Sequence, residues 1–197
     1  GRKYHAHPGQ DKRFDVIGMT HAFHGRTYAA VSAAGNPAYL EGFGPALPGY
    51  VHVPFGDMDA VREAAARPSA AAIIVEPVQG EGGLRDLTPA QLHELRAICD
   101  KHGILLIFDE IQCGMGRTGK LWAHEYSDIV PDVMTVAKAL GGGFPIGACL
   151  ATEAAAEGMV FGTHGSTFGG NPLAMAVGIA AFDALSAPEL LDNVNRM

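Results

Sequence analysis

Lys138 is the residue whose setting most directly suggests chemistry. It lies in the run Val133-Met134-Thr135-Val136-Ala137-Lys138-Ala139-Leu140-Gly141-Gly142-Gly143-Phe144-Pro145-Ile146-Gly147, and the nearest formal charges along the chain are Asp132 before it and Glu153 after it. An ammonium among apolar neighbours is costly, which favours loss of its proton or a dedicated partner. A neutral amine is a nucleophile able to form a Schiff base with a carbonyl. The plainer alternative is a lysine that snorkels to solvent from a strand end. Asp109 is the second such residue. It closes the apolar run Ile104-Leu105-Leu106-Ile107-Phe108, so a carboxylate stands at the end of a buried strand, where it either caps nearby N–H groups or serves a ligand.

These side chains need a frame. Short apolar runs predict strands over 15–19, 50–53, 72–75, 105–108, 133–136 and 148–151, alternating with helical patterns over 27–33, 58–66, 89–102 and 171–186. Thr88 before Pro89 is a strong start signal for the third helix, whose Leu92, Leu95, Ile98 and Cys99 share one face. Asp57 is suited to cap the second. Such alternation indicates an α/β layer with a largely parallel sheet, undivided by any linker or repeat. Ligands of open α/β sheets gather at the carboxyl ends of strands. Glu76, Asp109, Lys138 and the segment 21–26 each follow a strand, so all would meet at one sheet edge. Glycine, with 26 copies, clusters in 80–83, 114–119, 141–147 and 162–170, which suggests a site assembled from several loops.

The remaining composition narrows the class. The chain has 197 residues, 48% of them hydrophobic and 18% charged, enough for a substantial core. A formal net charge of -7 gives no electrostatic support for nucleic-acid binding. No apolar run approaches the roughly 20 residues of a membrane span. The opening Gly1-Arg2-Lys3-Tyr4-His5 carries charge with no apolar stretch behind it, so no signal peptide is expected. The 3 cysteines, Cys99, Cys113 and Cys149, lack metal or redox spacing and fit reduced thiols in a cytoplasmic protein. The pairs His5-x-His7 and His21-x-x-His24 lack a convincing third ligand, so no metal is expected.

Two motifs mislead. The apolar run ending in Asp109-Glu110 is followed by Gly114-x-x-x-x-Gly119-Lys120, which resembles a phosphate loop, but Leu121 stands where a metal-binding Ser or Thr is required and the order of the parts is reversed. Gly114-x-Gly116-x-x-Gly119 also spells a dinucleotide fingerprint, yet five residues separate it from its strand. A lysine and a carboxylate at adjacent strand ends, with an aromatic nearby, better match the needs of pyridoxal phosphate: an amine for the imine, an acid for the pyridine nitrogen, and a flat apolar face.

Five segments, in order, carry a resemblance: Phe23-His24-Gly25-Arg26-Thr27; Glu76-Pro77-Val78-Gln79-Gly80-Glu81-Gly82-Gly83; Asp109-Glu110-Ile111-Gln112-Cys113-Gly114-Met115-Gly116-Arg117-Thr118-Gly119; Ala137-Lys138-Ala139-Leu140-Gly141-Gly142-Gly143; and His164-Gly165-Ser166-Thr167-Phe168-Gly169-Gly170-Asn171-Pro172. Together they resemble the class III (subgroup II) aminotransferases, pyridoxal-phosphate enzymes of fold type I. The resemblance implies a large domain with a mostly parallel sheet flanked by helices. It implies that Lys138 binds the cofactor covalently and shuttles a proton, that Asp109 pairs with the pyridine nitrogen, and that Gln112 contacts the phenolic oxygen. Phe23 would stack on the ring and Ile111 would pack against it. Arg26 would clamp the substrate α-carboxylate, and Glu81 would manage the side-chain end of the substrate, with Glu76 helping to shape that pocket. Thr167 would bind the cofactor phosphate of a neighbouring subunit, with Ser166 near substrate, which implies a homodimer with shared sites.

The same resemblance implies amino transfer from a basic ω-amino donor, N-acetylornithine first, to 2-oxoglutarate in arginine biosynthesis; ornithine, succinylornithine and 4-aminobutyrate are the alternative donors. Family members are considerably longer. The chain is therefore expected to be the central part of the large domain, incomplete without an upstream Gly-Ser/Thr phosphate loop and a downstream small domain. On its own it is expected to bind cofactor poorly. The rival reading from another class is an inactive truncated product that keeps the architecture without the activity.

Overall fold

The computed structural model describes residues 1–6 and 12–197; His7 of the His5-x-His7 pair lies outside them. The chain runs through β1 (Asp15–Met19), α1 (Tyr28–Ala33), β2 (Tyr50–Val53), α2 (Met58–Ala65), β3 (Ala70–Val75), a hairpin of β4 (Val78–Gln79) and β5 (Arg85–Asp86), α3 (Pro89–His102), β6 (Leu105–Asp109), β7 (Val133–Val136), β8 (Ala148–Ala151), α4 (Glu153–Ala156), α5 (Pro172–Leu185) and α6 (Pro188–Arg196). One 6-stranded sheet has the order β2-β1-β3-β6-β7-β8. It is parallel throughout except at its edge, where β8 runs antiparallel to β7. The chain goes outward from β1 to β2 and returns on the other side of β1 as β3. The gap between β1 and β3 is thus a topological switch point, the place where α/β sheets bind ligands beyond their strand ends.

Side-chain alternation decides the layering. Ile17, Ile73 and Phe108 leave one face of the sheet to meet Val61 of α2 and Leu92 and Leu95 of α3 in the main core. Each such fully buried side chain contributes about 1.5–3 kcal/mol. Gly18 points the other way, under α1, where a Cβ would lie 2.9 Å from the Ala33 carbonyl oxygen. On that second face Ile74 and Ile107 are only half-buried, and every residue of β8 is exposed.

The α3 start is built as its sequence indicates. Thr88 Oγ1 accepts from the Gln91 N–H at 3.3 Å, while Gln91 Oε1 accepts from the Thr88 N–H at 2.9 Å, the reciprocal capping box. Gly103 ends the helix at φ +62°, a left-handed turn that glycine adopts without strain. The other helices start or stop within a residue of expectation, and the caps explain the offset. Thr27 and Asn171 stand outside their helices because their side chains accept from Ala30 N and Ala174 N. Strand β3 begins at Ala70 rather than 72, and the β4–β5 hairpin, α4 and α6 were not expected. Among the described residues, no single helix is long and apolar enough to cross a membrane.

Candidate active site

The site begins where β6 ends. Asp109, 4% exposed, is register-paired with Thr135 of β7. The chain then turns, and Asp109 Oδ1 accepts the Ile111 N–H at 3.1 Å. Its other oxygen, Oδ2, lies 2.8 Å from His24 Nδ1. A carboxylate only accepts, so His24 carries the proton on Nδ1 in this pair. His24 Nε2 is buried without a partner among the described residues.

The segment after β1 that carries His24 is held at the switch point. Thr20 N donates to Val53 O at 2.8 Å, Ala22 N to Ala34 O at 3.0 Å, and Phe23 N to Glu76 Oε1 at 2.9 Å. Glu76 directly follows β3 and is 4% exposed. Burial pushes its carboxyl above the ordinary range, and nearby Asp109 adds to this; the Phe23 N–H and His24 oppose it. The carboxyl ends of β1, β3 and β6 are therefore joined through the side chains of His24, Glu76 and Asp109.

Glu110 anchors the turn from behind. Its buried carboxylate accepts from His124 Nδ1 (2.8 Å), His124 N (2.9 Å) and Ala123 N (2.9 Å), with Cys113 Sγ at 3.4 Å. It clamps the turn after Asp109 to the 3-10 helix Ala123–Tyr126. Burial, and then the charge of Glu110, raise the Cys113 thiol pKa. This thiol is a packed donor rather than a nucleophile.

Lys138 opens a 3-10 helix, Lys138–Gly141, directly beyond β7. Its φ of +47° is in the left-handed region, strained for any residue with a Cβ. The side chain is exposed, so the apolar flank seen in sequence does not enclose the amine within this chain. Lys138 lines a cleft of about 490 Å³ with Gly80, Ile111, Gln112 and Thr118. Gln112 Oε1 and Thr118 Oγ1 are buried there without hydrogen-bond partners among the described residues. Gly80 makes room for Gln112, since a Cβ at position 80 would fall 1.2 Å from Oε1. A flat ligand with a carbonyl and polar ring substituents fits this set: an amine, orphaned polar atoms on one wall, and a fixed carboxylate at the adjoining strand end.

Other expected residues lie elsewhere. Arg26 lines a separate cavity of about 400 Å³ with Tyr28, Val31, Tyr39 and Phe43. Its guanidinium stands 5.2 Å from the Phe23 ring centroid and 4.6 Å from that of Tyr39. Glu81 is exposed between β4 and β5, and Ser166 and Thr167 are exposed in the segment before α5. Ser166 Oγ accepts the Gly169 N–H at 2.9 Å. None of these four lines the Lys138 cleft. His24 and Glu110 were missed as site residues. His24 lies inside the Phe23–Arg26 motif, and Glu110 adjoins Asp109, but their partners are remote in sequence. His5 is packed apart from the site, with Nε2 2.9 Å from Ala71 O.

The family model for class-III aminotransferases matches residues 1–197. The chain belongs to the class-III aminotransferases. It is 63% identical over 194 residues to acetylornithine aminotransferase 2 of Caulobacter vibrioides, covering 98% of this chain and 48% of that protein. Among solved class-III structures, the ornithine aminotransferase of Toxoplasma gondii superposes with a TM-score of 0.91 at 37% identity, covering 97% of this chain and 46% of that one; in that crystal, PLP partially occupies the active site. The N-acetylornithine aminotransferase of Stenotrophomonas maltophilia superposes with a TM-score of 0.78 at 40% identity, covering 99% and 45%. The chain thus spans about half the length of the curated relatives it matches. Its α/β fold, with a mostly parallel sheet flanked by helices, is that of these pyridoxal-phosphate-dependent enzymes.

Proposed function

We propose that the full-length protein containing this chain is a pyridoxal-phosphate-dependent aminotransferase that moves an amino group from N-acetylornithine to 2-oxoglutarate, in arginine biosynthesis. Residues 1–197 would be the central part of its large domain. The observation that supports this reading is that Lys138 and Gln112 line one cleft while the His24-held Asp109 carboxylate ends β6, the strand beside β7. The 63% identity to an acetylornithine aminotransferase favours that donor over ornithine.

When bound, pyridoxal phosphate supplies a carbonyl for an amine and a protonated ring that draws negative charge from the substrate α-carbon. Asp109 would pair with the ring nitrogen, and the hydrogen bond from His24 Nδ1 fixes which way its carboxylate points. Gln112 would hold the ring through its phenolic oxygen, and Phe23 would cover a face. Lys138 would hold the group covalently, and its Nζ would be the base that carries the substrate α-proton. Arg26 binds the α-carboxylate through its in-plane N–H groups. Glu81 faces the distal end of the substrate.

Thr167 would bind the cofactor phosphate of a second copy, with Ser166 near substrate, which makes the enzyme a homodimer. Support comes from the apolar side chains flanking Thr167 that this chain leaves in solvent: Phe161, Phe168 (79% exposed), Leu173 (62%) and Ile179 (63%). We place the protein in the cytoplasm, where free Cys99, Cys113 and Cys149 stay reduced.

The test is glutamate formation from 2-oxoglutarate by the full-length protein. N-acetylornithine should be the best donor, ahead of ornithine, succinylornithine and 4-aminobutyrate. Preference for another of these would reassign the donor, and no transfer from any would favour the inactive reading.

A further inference from the structure

We propose that Tyr39 is a positioning residue for Arg26, holding its guanidinium on an aromatic shelf shared with Phe23 and so presetting the carboxylate clamp. The proposal rests on the aminotransferase reading for its consequence, but its geometry stands by itself. Among the described residues Arg26 makes no ion pair and donates no hydrogen bond; its contacts are two rings, Tyr39 at 4.6 Å and Phe23 at 5.2 Å. Those rings meet edge to face, with centroids 5.9 Å apart and planes at 87°. An edge-to-face pair is a favourable aromatic geometry, so the shelf supports itself as well as the cation.

The shelf is built to stay in place. Tyr39 ends a 3-10 turn, Pro37–Tyr39, whose cap Asn36 accepts the Ala38 N–H at 3.2 Å. The loop that follows is strapped back to α1: Leu47 N donates to Ser32 Oγ at 3.0 Å, Ser32 Oγ donates to the Tyr28 carbonyl at 2.8 Å, and the Tyr28 hydroxyl donates to the Pro45 carbonyl. Phe23, the other wall, is fixed by its N–H on buried Glu76.

The chemistry follows from the shape of guanidinium. A guanidinium that rests its face on a ring keeps its N–H donors in the plane, free for a planar carboxylate. A long flexible side chain held this way loses less freedom on binding, which lowers KM without touching the bond-making step. Phe23 is also the ring expected over the cofactor, so clamp and ring share one wall.

The experiment compares wild type, Tyr39→Phe and Tyr39→Leu in the full-length protein. The first readout is the arginine Nε–Hε resonance in proton–nitrogen spectra, assigned to Arg26 by its loss in Arg26→Lys. It should lie upfield of free arginine through ring currents, remain there in Tyr39→Phe, and move toward the free value in Tyr39→Leu. An unshifted resonance in the wild type, or one unmoved in Tyr39→Leu, overturns the proposal; the wild-type spectrum decides alone if Tyr39→Leu does not fold. The second readout is kinetic. Tyr39→Leu should raise KM for the amino donor about two- to five-fold, the worth of an exposed cation–π contact, with kcat within about two-fold and Tyr39→Phe near wild type. Equal KM in all three contradicts it. If the wild type transfers no amino group, the functional reading fails while the resonance still decides the role of Tyr39.

Discussion

Glu76 is a buried acid whose ionisation the fold resists. Its folded pKa is raised above an ordinary value near 4.5, chiefly by burial. The folded state therefore binds this proton more tightly than the unfolded chain, and stability contributed by Glu76 falls as pH rises from about that value through the folded one. Glu76→Gln keeps an acceptor for the Phe23 N–H but cannot ionise. Urea denaturation should find the variant gaining on the parent as pH goes from acid to neutral; a constant difference would contradict the assignment. Glu110 acts through the groups it satisfies. Glu110→Ala strands His124 Nδ1 and the N–H groups of Ala123 and His124, a loss of about 3–5 kcal/mol in the same assay. Sequence exposes Lys138 and Asp109 because each follows an apolar strand. It hides the pairing of His24 with Asp109, 85 positions apart, because no local pattern encodes which loops meet beyond the sheet.

Among the elements, the most legible are those whose signals are local. The runs at 105–108 and 133–136 are short, apolar and rich in β-branched or bulky residues, and Thr88-Pro89 announces α3. The hairpin of β4 and β5 escapes because two-residue strands carry no periodicity; it is held by Arg85 donating to Gln79 Oε1 at 2.7 Å. Helix α6 escapes because Ala187 at its N-cap makes no side-chain cap. Thr88→Ala removes the side-chain arm of the α3 box and should cost about 1 kcal/mol in unfolding free energy. A change below a few tenths would mean that packing alone holds this end. The turn at Lys138 offers a sharper contrast, since both Lys138→Ala and Lys138→Gly remove the amine while only glycine suits φ +47°. Lys138→Gly should be the more stable of the two by about 1 kcal/mol; equal stabilities would mean the turn is not strained.

At the scale of the whole molecule, the sheet is well packed on the side of α2 and α3 and thinly covered elsewhere. β8 is exposed along its length, and α5 presents apolar side chains to solvent on a helix that buries only Ala174 and Gly178. The chain spans about half the length of the curated relatives it matches, and the proposed dimer would pack on such faces. The 197-residue chain alone should accordingly capture pyridoxal phosphate weakly compared with the full-length protein. Lys138 is the amine proposed to bind the cofactor. The most direct test is borohydride reduction of the full-length protein with pyridoxal phosphate, followed by peptide mapping. A single labelled peptide should carry the pyridoxyl group on Lys138 and be lost in Lys138→Ala; label on another lysine, or label undiminished in that variant, would contradict this role.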